Sequence, residues 1–136
     1  MVNKSFALAR AELIQAAQQR WGRAISVAWV HAAEQVAPGA GAVLVTRAVS
    51  AGVSGYIYGF FISAQEANNF LLNWTSGGVA CSIRIIFGGA GSTEGVDPVA
   101  LNEGLPADVG TNVTITNVNA AAALMVYQAR LLYGEV

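Results

Sequence analysis

The residues of this chain able to do chemistry are few and scattered. His31 is the only histidine, and it stands three residues before Glu34. On a helix that spacing puts both on one face, where a carboxylate could orient a general base. No nucleophile motif accompanies the pair, so a core or interface histidine satisfied by Glu34 or by a backbone carbonyl is the stronger reading. Cys81 is the only cysteine. It lies in an alternating apolar run and reads as a small buried hydrophobe. One cysteine forms no intrachain disulfide, and one histidine with one cysteine falls short of the several ligands zinc takes.

Two further patterns invite a chemical reading. Gly88-Gly89-Ala90-Gly91 precedes Ser92-Thr93, but it lacks the lysine of a phosphate loop and opens no helix, so it reads as a turn. Glu94, Asp97, Glu103 and Asp108 gather in the longest loop, residues 88–110. Calcium takes clustered oxygen ligands, yet no Asp-x-Asp spacing is present and a solvated loop fits better. Asn3, Asn73 and Asn112 each open an Asn-x-Ser/Thr triplet, which makes them candidate glycosylation acceptors in an exported protein. The expectation is therefore a protein with no catalytic residue, no cofactor and no metal, not an enzyme.

Composition supplies the positive signal. Of 136 residues, 54% are hydrophobic and 11% charged, against about 25% charged in an average soluble domain. So few charges do not cover the surface of so small a domain, which implies that part of it lies against other copies of the chain. The net charge is −1 and the seven basic residues are dispersed. Nucleic-acid binding needs clustered Lys and Arg, so nucleic acid is not the expected partner.

The elements change character near Pro38-Gly39. Residues 4–36 are rich in Ala, Gln, Leu and Arg, good helix formers, with an apolar stripe through Phe6, Leu13, Ala17, Trp21, Ala24 and Ala28. From Ala24 the segment is apolar nearly all round, which a helix tolerates only when covered on every side or in lipid. This predicts an N-terminal helical arm over residues 1–38. Phe6, Leu13, Trp21, Ile25, Trp29 and Val30 form its assembly interface, and membrane contact is the alternative use of that surface. The apolar stretch is shorter than the about 20 residues of a membrane span.

From Gly41 the period becomes two. Strands are predicted at Ala42–Val49, Tyr56–Ser63, Asn69–Thr75, Val79–Phe87, Thr111–Val118 and Ala122–Tyr133, separated by Gly, Ser and Asn turns. In Tyr56–Ser63 the alternation puts Tyr56, Tyr58, Phe60 and Ile62 on one face. Pro38, Pro98 and Pro106 fall between the runs, as a sheet requires. Residues 39–136 thus read as an antiparallel, jelly-roll-like β-sandwich of six to eight short strands. Several strands are apolar on both faces, which repeats the compositional argument for covered surfaces.

A helical arm ahead of a small Gly- and Thr-punctuated sandwich resembles the jelly-roll coat and decoration proteins of viruses, and subunits of extracellular filaments that polymerise through an N-terminal segment. The resemblance is architectural and carries no functional residue across. It implies a structural protein that assembles with copies of itself, or with other coat or filament proteins, into a shell or filament in a virion or outside the cell. The alternative is a sandwich that binds a ligand or receptor through strand-face aromatics and the 88–110 loop.

Overall fold

The period-two alternation becomes strand after strand. The computed structural model describes residues 26–94 and 104–136. Among them lie β1 (Ser26–Val30), β2 (Gln35–Val36), β3 (Val43–Ala48), β4 (Gly55–Ala64), β5 (Asn68–Ser76), β6 (Val79–Phe87), β7 (Gly91–Glu94), β8 (Leu105–Ala107), β9 (Asn112–Asn117) and β10 (Val126–Glu135). They form two antiparallel sheets. The first runs β1-β10-β4-β7, with short β2 beside β10 and β8 beside β4; the second runs β3-β9-β5-β6.

The pairing is nested. β1 pairs with β10, β3 with β9, β4 with β7 and β8, and β5 with β6. The chain therefore doubles back at the β5–β6 turn, and the doubled ribbon is shared between the two sheets. That turn is Gly77-Gly78, with φ of +59° and +76°. Positive φ at both central residues defines the type I′ hairpin, which glycine adopts without strain. Asp108 fixes it: its two carboxylate oxygens accept from the Gly77 and Gly78 N–H groups at 2.9 and 2.8 Å.

The core lies between the sheets. Ile62, Phe70, Leu72, Val113, Ile115, Tyr127, Ala129 and Leu131 are all buried there, as alternation places them. Phe70 meets Phe87 and Tyr127 edge-on, with ring centroids 5.1 and 5.5 Å apart. A second, smaller cluster of Val27, Tyr58 and Leu132 forms apart from this core, with Trp29 and Tyr56 packed against it.

The structure corrects the sequence reading at the N-terminal helix, in β4 and in the 88–110 loop. The helix expected over residues 4–36 is absent from its described part: Ser26–Val30 pairs along Leu131–Glu135 and Gln35–Val36 along Val126–Tyr127. A short apolar run reads alike as a buried helix or as a strand covered on both faces, and here the β-branched and aromatic residues of Ser-Val-Ala-Trp-Val favour the strand. A boundary at 38/39 thus divides a sheet, while residues 1–25 lie outside the described residues. The second correction concerns β4. Tyr133 pairs with Ile57 but Leu132 with Gly59, so Tyr58 is an extra, bulged residue. The bulge reverses the phase of the strand. Ile57, Phe60 and Ile62 join the main core, and Tyr58 joins the smaller cluster. The loop over 88–110 also contains two strands, β7 and β8. Pro106 sits in β8, a sheet-edge position where its missing N–H is tolerated.

Candidate functional site

His31 and Glu34 are both exposed in the segment between β1 and β2. Without a helix there, the shared face that motivated the pair is gone. Cys81 is half-buried on β6, its thiol 3.4 Å from the Val79 carbonyl. Of the acidic group, Asp108 is committed to the β5–β6 turn and Glu94 is exposed on β7, while Asp97 and Glu103 lie outside the described residues. Among the described residues no group of three His, Cys, Asp or Glu side chains comes together.

The charged cluster the structure does assemble was not visible in the sequence. It closes one end of the sandwich. Arg47 of β3 reaches across to Glu135 of β10, Nη2 to Oε1 at 3.3 Å. The same oxygen accepts from the Ser50 N–H at 3.1 Å and from the Tyr133 hydroxyl at 3.0 Å. The Arg47 guanidinium stacks over the Tyr133 ring, 5.3 Å from its centroid. Burial opposes ionisation of Glu135, but the Ser50 and Tyr133 hydrogen bonds and the Arg47 charge outweigh it and hold the carboxyl below its ordinary range. Burial, then the adjoining Glu135 carboxylate, push the Tyr133 phenol well above its ordinary range. A carboxylate held ionised beside a phenol held neutral exchanges no proton near neutral pH. The cluster acts as a clamp between the sheets. A surface cavity beside it is lined by Ala28, Trp29, Val30, Arg47, Tyr133 and Glu135.

The expected assembly residues Trp29 and Val30 both lie on β1 and diverge. Val30 packs against the main core and Trp29 against the smaller cluster. Phe6, Leu13, Trp21 and Ile25 lie outside the described residues. Trp29 also borders a shallow cavity with Phe61, Glu94 and Arg130. Arg130 and Phe61 are cross-strand partners, the guanidinium 5.5 Å from the ring centroid.

On the outer face of the second sheet, Asn73 of β5 lies beside Thr114 and Thr116 of β9. Asn73 Nδ2 donates to Thr114 Oγ1 and Thr116 Oγ1, each at 3.2 Å, so this glycosylation candidate has its amide engaged. Asn112 is exposed at the start of β9, and Asn3 lies outside the described residues.

Apolar exposure concentrates at the sheet edges. Among the described residues, Val36, Val43, Val79, Ile83, Ile86, Val109 and Leu124 are the exposed large hydrophobics. The first five stand on β2, β3 and β6, each paired on one side only among the described residues. Their common placement was out of reach of sequence reasoning, because which strands become edges is a property of topology. No protein-family model matches the chain, and no curated protein matches it significantly.

Proposed function

We propose that this chain is a structural subunit that assembles with copies of itself into a shell or filament, in the manner of a small jelly-roll coat protein or an extracellular filament subunit. The observation that carries the reading is the apolar exposure on the edge strands β2, β3 and β6. A monomer has no use for such edges, and they template pairing with another chain. The low charge content of the whole chain points the same way. The nested strand order supports the jelly-roll element of the proposal: it is one long hairpin wrapped over two sheets of four principal strands, extended by β2 and β8. On this reading the segment before Ser26, whose sequence carries the stripe Phe6, Leu13 and Trp21, is a surface that neighbouring subunits cover.

Negative-stain electron microscopy of the purified full-length protein tests the proposal. Regular shells or filaments are expected. A monodisperse monomer at concentrations where coat subunits assemble overturns it.

A further inference from the structure

Among the described residues, β6 is the longest strand at the end of either sheet, at 9 residues. Among the described residues it pairs only with β5, over its whole length from Val79 to Phe87. Val79 is 63% exposed, Ile83 40% and Ile86 72%. Soluble proteins blunt such edges with charges, prolines or bulges. β6 carries one charge, Arg84, no proline, and no break in its register with β5.

The Gly77-Gly78 turn decides which backbone groups face outward. A two-residue hairpin makes Ser76 and Val79 a hydrogen-bonded pair. By alternation Val79, Cys81, Ile83, Ile85 and Phe87 turn their N–H and C=O groups toward β5. Ala80, Ser82, Arg84 and Ile86 turn theirs to the open edge.

We propose that a second copy of this chain pairs antiparallel with this edge, β6 against β6, about a twofold axis through Ile83. The residue sequence selects that register. Centring on Arg84 sets two guanidinium groups opposite each other, which is destabilising. Centring on Ser82 leaves Ile86 and Phe87 without partners. Centring on Ile83 uses the full strand: Val79 faces Phe87, Ala80 faces Ile86, Cys81 faces Ile85, and Ser82 faces Arg84. Apolar residues meet apolar residues, and the outward-turned backbone groups of the two copies meet each other. Two four-stranded sheets then become one continuous sheet. This inference rests on the proposed homomeric assembly and names a surface through which two of its subunits meet.

Cysteine cross-linking of the full-length protein reads the register directly. The two copies of residue 83 form a non-hydrogen-bonded pair with Cα atoms about 4.5 Å apart, within the roughly 4.4–6.8 Å that a disulfide spans. In a Cys81→Ser background, mild oxidation of Ile83→Cys is expected to double the apparent mass on a non-reducing gel. Ile85→Cys in the same background stays monomeric, because its two copies are four positions out of register. Ile85→Cys with Cys81 retained cross-links, because those residues face each other. Ser82→Pro removes an N–H from the open edge, leaves the β5 ladder intact, and is expected to abolish the Ile83→Cys dimer. Failure of Ile83→Cys to cross-link, equal cross-linking at 83 and 85 in the Cys81→Ser background, or persistence of the dimer in Ser82→Pro overturns the pairing. Regular particles under the microscope without the Ile83→Cys dimer reject this edge and keep the assembly reading. The dimer without larger particles keeps the edge and rejects the shell or filament.

Discussion

Arg47 and Glu135 lie 88 residues apart in sequence and 3.3 Å apart in space, joining the last strand of one sheet to the first of the other. The Arg47 side chain is 42% exposed, so its Coulombic share is modest. The larger part of what Glu135 contributes comes from the Ser50 and Tyr133 donors on the same oxygen. Glu135→Gln is expected to lower unfolding stability at neutral pH by about 1–3 kcal/mol, measured by urea denaturation.

The same carboxylate sets a dependence on acid. Its folded-state pKa is lowered, so its contribution is complete above the ordinary glutamate value of about 4.3. That contribution is lost as pH falls through the lower folded-state value. Urea midpoints between neutrality and pH 3 should fall for the wild type and fall less for Glu135→Gln. Parallel curves for the two proteins would falsify the assignment.

Alkali acts with the opposite sign. Tyr133 and Tyr127 both have raised pKa values, with burial the first cause in each. Stability held by the neutral phenols is full below the ordinary tyrosine value of about 10 and is lost as pH rises through the folded values. Phenolate absorbance should show these two tyrosines ionising at higher pH in the folded than in the unfolded protein. Tyr133→Phe should flatten part of the alkaline loss of stability.

Gly55 is a glycine because Tyr133 lies on it. A Cβ at 55 would overlap the Tyr133 hydroxyl, and beyond that oxygen the nearest atoms are Val49 Cγ1 at 3.0 Å and Tyr133 Cζ at 3.1 Å. Gly55→Ala alone forces the hydroxyl off Glu135 and is expected to cost about 2–3 kcal/mol. Tyr133→Phe removes the overlapping atom. The double variant should therefore be more stable than the sum of the single changes predicts, by about 1 kcal/mol in a double-mutant cycle. Simple additivity would remove hydroxyl overlap as the cause.

How much of this was legible in the sequence differs from strand to strand. The alternation of Phe70, Leu72 and Trp74 against Asn69, Leu71 and Asn73, and of Val113 and Ile115 against Thr114 and Thr116, placed β5 and β9 with the correct faces. Their polar side is solvated, and solvation is what writes period two into a sequence. β1 has apolar partners on both faces, so its run had no period to read. In β4 the bulge at Tyr58 reversed the phase within a strand whose residues are apolar on either side. The Arg47–Glu135 cluster was out of reach for another reason: both residues are isolated charges in sequence, and only the register of two sheets brings them together.

Removal of residues 1–38 checks where the sandwich begins. β1 covers the edge of β10 from Leu131 to Glu135, and Val27 is fully buried in the cluster with Tyr58 and Leu132. A chain starting at Gly39 loses that strand, β2, and the buried Val27. It is expected to aggregate, or to lose hydrogen-exchange protection along β10 and β4 relative to the full chain. Unchanged protection in both strands would restore a sandwich that begins at residue 39.

Asn68, buried at the start of β5, holds the far end of the sandwich. Its amide nitrogen donates to the Tyr127 hydroxyl at 2.8 Å and the Asn119 carbonyl at 2.9 Å. Its oxygen accepts from the N–H groups of Asn69 and Asn119 at 2.7 and 3.2 Å. The Tyr127 hydroxyl donates in turn to Glu66 at 2.7 Å, and Glu66 also accepts from the Ala122 N–H at 2.8 Å. One asparagine therefore ties the turn before β10 to β5, and its loss leaves buried groups unsatisfied rather than merely unpaired with each other. Asn68→Ala is expected to cost about 2–4 kcal/mol. Tyr127→Phe removes one partner of Asn68 and one of Glu66, at about 1–2 kcal/mol. Because both changes cut the same chain of hydrogen bonds, the double variant should lose less than the sum of the two. Strict additivity in thermal and urea unfolding would show that Asn68 acts through Asn119 alone.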